Sequence, residues 1–300
     1  MPHQQERLGL LFAGLCALNG AFIPAVAKLT TNRGTALFVA MTTSGLAAIF
    51  GLGMLLRRGQ IGILFHVPTA LRLAATAMFG TGLAFLLFFI GAQRTSPIES
   101  VLCLQIEPLY SLLMAWAFLG HRPTLRRVVA IGALLAGIFL AVGASGVVPS
   151  LGVWLLLFTP LCWQISHLIV LRGLRGVAPP TLTAGRYIFG ATFLVLCWVL
   201  TEGPQTLPPF AELATAMPLL LVQGLVLSFA GTLAWYQAVT RLDLTRTTAI
   251  VVPSTPILSL GATFLLVGDS PTPPQWIGML LVAVGVAVFV TAPDAGGSDQ

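Results

Sequence analysis

Glu107 is followed directly by Pro108 near the middle of an apolar run over residues 97–119. A carboxylate at such a place costs about 3 kcal/mol on insertion scales unless it is paired, protonated or wetted. Proline has no N–H, so Pro108 leaves the carbonyl of Leu104 without its helical donor. Two kinds of chemistry suit the pair: binding an amine, or carrying a proton that exchanges for something else. The structural alternative is a protonated Glu107 bonded to a neighbouring helix. Ser100, Glu107 and Ser111 are spaced by 7 and 4, which places them on one face of a continuous helix. The same pattern recurs 148 residues later as Thr248, Thr255 and Ser259, with Pro256 again after the central residue. Two polar stripes related in this way are expected to face each other across a central cavity. The alternative for each hydroxyl is a bond to its own helix carbonyl.

Other polar or helix-bending residues sit inside apolar runs. Asn19, Gly20 and Pro24 lie together in the first run, and Pro253 joins Pro256 in the ninth. Prolines in both halves predict bent or broken helices around a midplane site. In the sixth run Trp163, Gln164 and His167 follow Pro160 and share a face. Trp163 reads either as a stacking wall or as bulky packing, and His167 as a lone ring bonded to a carbonyl or a titrating group. Trp235 and Tyr236 fall near one end of the eighth run, where an interfacial aromatic belt is expected. Lys28 and Arg186 read as cations that snorkel to opposite surfaces.

These residues need elements to hold them. The 300-residue chain is 57% hydrophobic and only 8% charged, with a mean hydropathy of +0.95. Soluble domains carry roughly 25% charged residues, so this is a polytopic membrane protein of the all-α class. Ten apolar runs are long enough to span, near 8–27, 35–56, 69–91, 97–119, 126–145, 151–171, 181–201, 213–238, 245–267 and 275–292. The first resembles a signal peptide in its Arg7 and its Ala25-Val26-Ala27, but it is long for one and is read as a retained span. Twelve of the fifteen basic residues fall on the side that holds the N-terminus. That bias predicts cytoplasmic N- and C-termini in a bacterial-type inner membrane.

The net charge of +6 does not point to nucleic acid, because the basic residues sit in short loops. Cys16, Cys103, Cys162 and Cys197 all lie in apolar runs without a C-x-x-C pair, so no metal site is expected. No phosphate-binding G-x-x-x-x-G-K-[ST] loop is present, and no cofactor is expected. Small residues at packing spacing, such as Ala47 with Gly51 and Gly132 with Gly137, predict close helix contacts.

The halves repeat. Glu107 to Thr124 aligns without gaps on Thr255 to Thr272, Gly91-Ala92 on Gln237-Ala238, Asn19 on Trp163, and Lys28 on Arg172. Residues 1–146 and 147–293 are therefore expected to be two five-helix units, with 294–300 a short cytoplasmic tail. Five is odd, so the second unit enters the membrane inverted, a pattern of secondary transporters with a site at the midplane.

Two five-helix copies, each with a proline-containing fourth helix that ends in Leu-Gly, a charged or polar residue and Pro-Thr, resemble the EamA family of the drug/metabolite transporter superfamily. Many members carry Glu after that Leu-Gly; here His121 and Asp269 stand there. The resemblance covers nearly the whole chain. It implies ten spans around a central cavity and export of small polar metabolites, with amino acids foremost, by alternating access. The substrate is a small molecule, protons are a candidate coupling ion, and a monomer suffices for such a fold. An importer or drug effluxer of the same fold is the alternative. A membrane enzyme would need clustered carboxylates or histidines, and this chain has one midplane carboxylate. Glu107, Ser100, Ser111, Asn19, Trp163, His167, Thr248, Thr255 and Ser259 are the candidate cavity residues, and Pro24, Pro108, Pro253 and Pro256 the candidate bends.

Overall fold

The computed structural model describes residues 2–119, 123–143, 149–242 and 244–292. His121, the junction at 144–148, the tail 294–300 and the side chain of Thr248 lie outside the described residues. Thirteen α-helices are described: α1 Pro2–Thr31, α2 Ala36–Arg57, α3 Val67–Ala77, α4 Ala84–Arg94, α5 Pro97–Leu104, α6 Glu107–Leu119 and α7 Leu125–Gly143. The second half continues with α8 Leu151–Gly173, α9 Pro179–Thr201, α10 Phe210–Leu221, α11 Gly231–Leu242, α12 Leu244–Val267 and α13 Pro273–Thr291. π-helical turns at Met78–Leu83 and Val222–Ala230 join α3 to α4 and α10 to α11. The result among the described residues is ten helical segments long and apolar enough to cross a membrane. They form two inverted repeats of five.

Helix starts follow local chemistry. Ser96 and Glu99 form a reciprocal capping box at the head of α5, and Thr272 and Gln275 form one at the head of α13. Each satisfies two N–H groups that the first turn would leave without partners. Gly268 follows α12 with φ of 71°, a left-handed value that glycine adopts without a Cβ penalty.

The halves interlock. α7 packs on α13, α2 on α9, α4 on α8, and α1 on both α11 and α12. Little hydrophobic drive pulls helices together in lipid, so close backbone approach does the work. A Cβ on Gly137 would lie 2.5 Å from the carbonyl oxygen of Gly278, and one on Gly278 would lie 2.5 Å from that of Gly137. A Cβ on Gly51 would lie 3.0 Å from Ala184 Cα of α9, and Ala47 one turn before it is fully buried. Gly132 differs: nothing lies within 4 Å of where its Cβ would be, so it faces away from the seam. The outer surface is apolar, with Phe210, Leu200 and Leu125 among the most exposed side chains. A helical bundle that satisfies its backbone internally and turns such residues outward is built for lipid.

Lys28 is held at the end of α4. Its ammonium donates to the carbonyls of Ala92 (3.4 Å), Gln93 (2.9 Å) and Thr95 (2.8 Å). It thereby caps the end of α4, where carbonyls lack helical donors. Gln93 in turn donates to the carbonyls of Thr31 and Gly34, tying the ends of α1 and α4 together.

Candidate functional site

The fourth span is interrupted where the sequence places its carboxylate. α5 stops at Leu104 and α6 begins at Glu107. Across the gap the amides of Gln105, Ile106 and Leu109 donate to the carbonyls of Leu102, Cys103 and Ile106, three residues back rather than four. Pro108 cannot supply the donor that would carry the ladder through Leu104. Glu107 Oε1 accepts a hydrogen bond from Gln164 Nε2 of α8 at 2.8 Å. The structural alternative required a proton on Glu107; the bond to the neighbouring helix has the Glu107 oxygen as acceptor and needs none, and Glu107 also lines a cavity.

That cavity, of about 240 Å³, lies at the centre of the bundle. Asn19, Glu107, Trp163, His167, Thr255 and Ser259 line it, with Pro24 beside them. Ser259 is fully buried, and its hydroxyl has no partner among the described residues. Thr255 lines the wall while its hydroxyl bonds the carbonyl of Val251 at 2.8 Å.

Ser100 and Ser111 are not in the lining. Ser100 donates to the carbonyl of Ser96 at 3.0 Å and lies 2.9 Å from the hydroxyl of Thr95. The break between α5 and α6 resets the helical phase between Ser100 and Glu107, whereas Ser111 shares α6 with Glu107 and nothing in the helix geometry explains its absence from the lining. The four prolines differ in whether they interrupt a helix. Pro24 lies inside unbroken α1, and Pro253 and Pro256 lie inside unbroken α12. Of the four, Pro108 alone stands at an interruption.

The structure adds polar groups that the sequence reading did not place here. Arg186 is 6% exposed and lines the cavity. It was expected to snorkel; instead its guanidinium turns back onto the first π turn. Nε donates to Thr81 Oγ1 at 3.1 Å, and the outer guanidinium donates to the carbonyl of Gly80. Gly80 leaves the space: a Cβ there would lie 2.8 Å from Arg186 Nε. Trp235 is not an interfacial residue. Its ring stacks on His167 with centroids 5.8 Å apart and planes 15° from parallel, inside the cavity wall. Tyr236 is buried at 6% exposure rather than at a surface. Gln105 and Gln223 line the cavity, and each has a buried side-chain carbonyl oxygen without a partner among the described residues. Tyr187 bonds Thr232 at 2.9 Å, and both line the wall.

The π turns were invisible to periodicity. They occupy equivalent places: the 146-residue offset that pairs Gly91-Ala92 with Gln237-Ala238 carries Met78–Leu83 into Val222–Ala230. Such turns misalign backbone carbonyls and recur at functional sites. Here side chains from other helices bond carbonyls in or beside them. Asn19 Nδ2 donates to Val226 O at 2.7 Å, Ser166 Oγ to Thr76 O at 2.9 Å, and Arg186 to Gly80 O. The one available sequence signal was the depth of Arg186. It stands seven residues into α9, roughly 10 Å from the helix start at 1.5 Å per residue.

Chemically, the cavity offers a carboxylate, a guanidinium, amide and hydroxyl groups, and an aromatic wall that includes Phe85, Phe88 and Phe89. It is small beside the roughly 300–1,000 Å³ of pockets for drug-sized ligands.

The chain is 24% identical over 206 residues to the Bacillus subtilis (strain 168) protein named Uncharacterized transporter YyaM, covering 67% of this chain and 66% of that protein. It is 28% identical over 199 residues to the Probable terminal-alkyne amino-acid exporter of Streptantibioticus cattleyicolor, covering 63% of this chain and 62% of that protein. The matches thus span just under two thirds of each relative's length. A solved structure, described only as a crystal structure of a protein, superimposes with a TM-score of 0.68 at 20% identity. That superposition covers 95% of this chain and 97% of the other, and shows likeness of fold. The model of the EamA-like transporter family matches residues 7–143 and again 150–291, one match per five-helix half, and this chain, with ten helices long and apolar enough to cross a membrane among its described residues, belongs to that family.

Proposed function

We propose that this protein exports small polar metabolites, amino acids foremost, across a bacterial-type inner membrane by alternating access, with both termini in the cytoplasm. The observation that carries the reading is Glu107. It is a carboxylate at the interruption of a membrane helix, on the wall of a small cavity between two inverted halves. A carboxylate there suits an ammonium group, and the surrounding aromatic rings suit an apolar side chain. The name of one relative, an amino-acid exporter, supports the same class. The size of the cavity favours a metabolite over a drug-sized molecule.

Residues 1–146 and 147–293 act in this reading as the two units that rock against each other. α5 packs on α1, α4, α7, α8 and α12, whereas the helix on which α6 packs extensively is α8. α6 is therefore the portion free to swing, with the turn at Gln105–Ile106 as its hinge. No ion pair holds Glu107 among the described residues; an amide does. It can take up a proton when the cavity is empty, which would couple export to a proton gradient. Asn19, Trp163, His167, Thr255 and Ser259 form the rest of the binding wall.

Counterflow in proteoliposomes with a panel of amino acids, with and without a pH gradient, tests this. Saturable exchange of apolar amino acids, stimulated by the gradient, is expected. A correctly folded protein that exchanges no amino acid contradicts the substrate, and inward accumulation driven by the same gradient contradicts the direction.

A further inference from the structure

Arg186 and Glu107 line the same cavity, yet they are not paired with each other. Glu107 is engaged by Gln164 on α8, and Arg186 by Thr81 and Gly80 on the π turn of the third span. No carboxylate lies within ion-pair distance of Arg186 among the described residues. A buried guanidinium without an anion is costly, and its charge would normally be neutralised by a neighbouring acid. Here the partners in contact are a hydroxyl and a carbonyl. They fix the fork's position through Nε and one outer nitrogen, and they leave its positive charge uncompensated. A guanidinium held in this way keeps N–H groups for a planar two-oxygen acceptor, the geometry that distinguishes Arg from Lys.

We infer that Arg186 is the receptor for the substrate's carboxylate, and that with Glu107 it forms the two poles of a zwitterion site. This rests on the amino-acid reading above and adds a residue and a selection rule to it. The substrate must carry an anionic two-oxygen group and an ammonium group, with its side chain turned to the aromatic wall. Gln105 and Gln223, with buried oxygens lacking partners, lie in the same lining and accept the ammonium hydrogens that Glu107 does not. The Gly80 carbonyl and Thr81 hydroxyl orient the receptor, so the π turn is a positioning element for it.

The test is equilibrium binding by titration calorimetry to the full chain in lipid nanodiscs. The probes are L-phenylalanine and L-leucine, each beside its carboxamide, which keeps the amine and side chain but has no anion. Wild-type protein is expected to bind the acids at least tenfold more tightly than the amides. Arg186→Gln is expected to weaken the acids roughly 10- to 100-fold and to leave the amides within about threefold, so the preference disappears. Arg186→Lys keeps the charge without the fork and is expected to retain part of the preference. If Arg186→Gln weakens acids and amides equally, Arg186 only clamps the π turn; the inference falls while the amino-acid reading stands. If wild-type protein binds acid and amide alike, the inference falls without any variant. If it binds none of the four and counterflow is also silent, both readings fall together.

Discussion

Spans four and nine are the same element of the repeat, 148 residues apart, and they fold differently. Span four carries one internal proline, Pro108, and is broken into α5 and α6; span nine carries Pro253 and Pro256 and runs unbroken as α12. Proline content alone would have predicted the opposite. Support from neighbours explains the contrast. α12 lies along α1, where a Cβ on Gly20 would lie 3.6 Å from Thr255 Cγ2, and the Arg246–Glu6 ion pair stands at its head. Hydroxyls of Ser254 and Thr255 bond its own carbonyls at Ile250 and Val251. A membrane helix with prolines persists when adjoining helices and hydroxyls support its backbone. Among the described residues the helix on which α6 packs extensively is α8, and at the corresponding position α6 carries a carboxylate that reaches across to Gln164. The break and the charge therefore belong to the same half.

The largest expected effect comes from exchanging the two central residues. Glu107→Thr combined with Thr255→Glu keeps composition and places the carboxylate on the unbroken helix. Counterflow of L-leucine is expected to fall by a hundredfold or more, and wild-type exchange would show the halves to be interchangeable. Gln164→Leu removes the donor to Glu107 and leaves the carboxylate unpartnered. A loss of about 1–3 kcal/mol is expected, read as a roughly 10- to 100-fold weaker apparent affinity, and an unchanged affinity would remove Gln164 from the site.

Pro108→Ala restores the donor to Leu104 and is expected to let span four close into one helix. Hydrogen exchange at residues 104–108 should then slow, and turnover should fall about fivefold if the hinge matters. Pro256→Ala, where the helix is already continuous, is expected to change neither appreciably. The smallest effect is at the head of α12. Arg246 and Glu6 are 54% and 42% exposed, and exposed pairs contribute about 0–1 kcal/mol. Arg246→Gln should shift thermal stability by a degree or two, and a large shift would mean that α12 depends on that pair.

Much of this was legible in the sequence. The ten spans follow from apolar length, and the two halves from a gapless match through Glu107–Thr124. Glu107 stood out because an ionised carboxylate, unlike a hydroxyl, cannot bond back to its own helix carbonyls. What failed is equally physical. The shared face of Ser100 and Glu107 required a constant helical phase, which the break removes. The π turns at Met78–Leu83 and Val222–Ala230 hold Gly80, Gly82 and Gly224, but a glycine within an apolar run does not by itself distinguish a π turn from an α-helix. Arg186 was read by its proximity to a helix end, but its direction is set by the missing Cβ of Gly80, a contact across 106 residues. Trp235 was likewise assigned by position along its helix, whereas its stacking on His167 depends on how spans six and eight meet.

The central claim is that the charge of Glu107, rather than the shape of its side chain, makes the cavity work. Glu107→Gln preserves volume and hydrogen-bonding reach while removing the carboxylate. Counterflow of L-leucine by this variant, measured across a range of pH and compared with wild type, tests the claim most directly. The account predicts a loss of at least tenfold at every pH, with no remaining stimulation by a proton gradient. Wild-type rates throughout, with the gradient response intact, would contradict it.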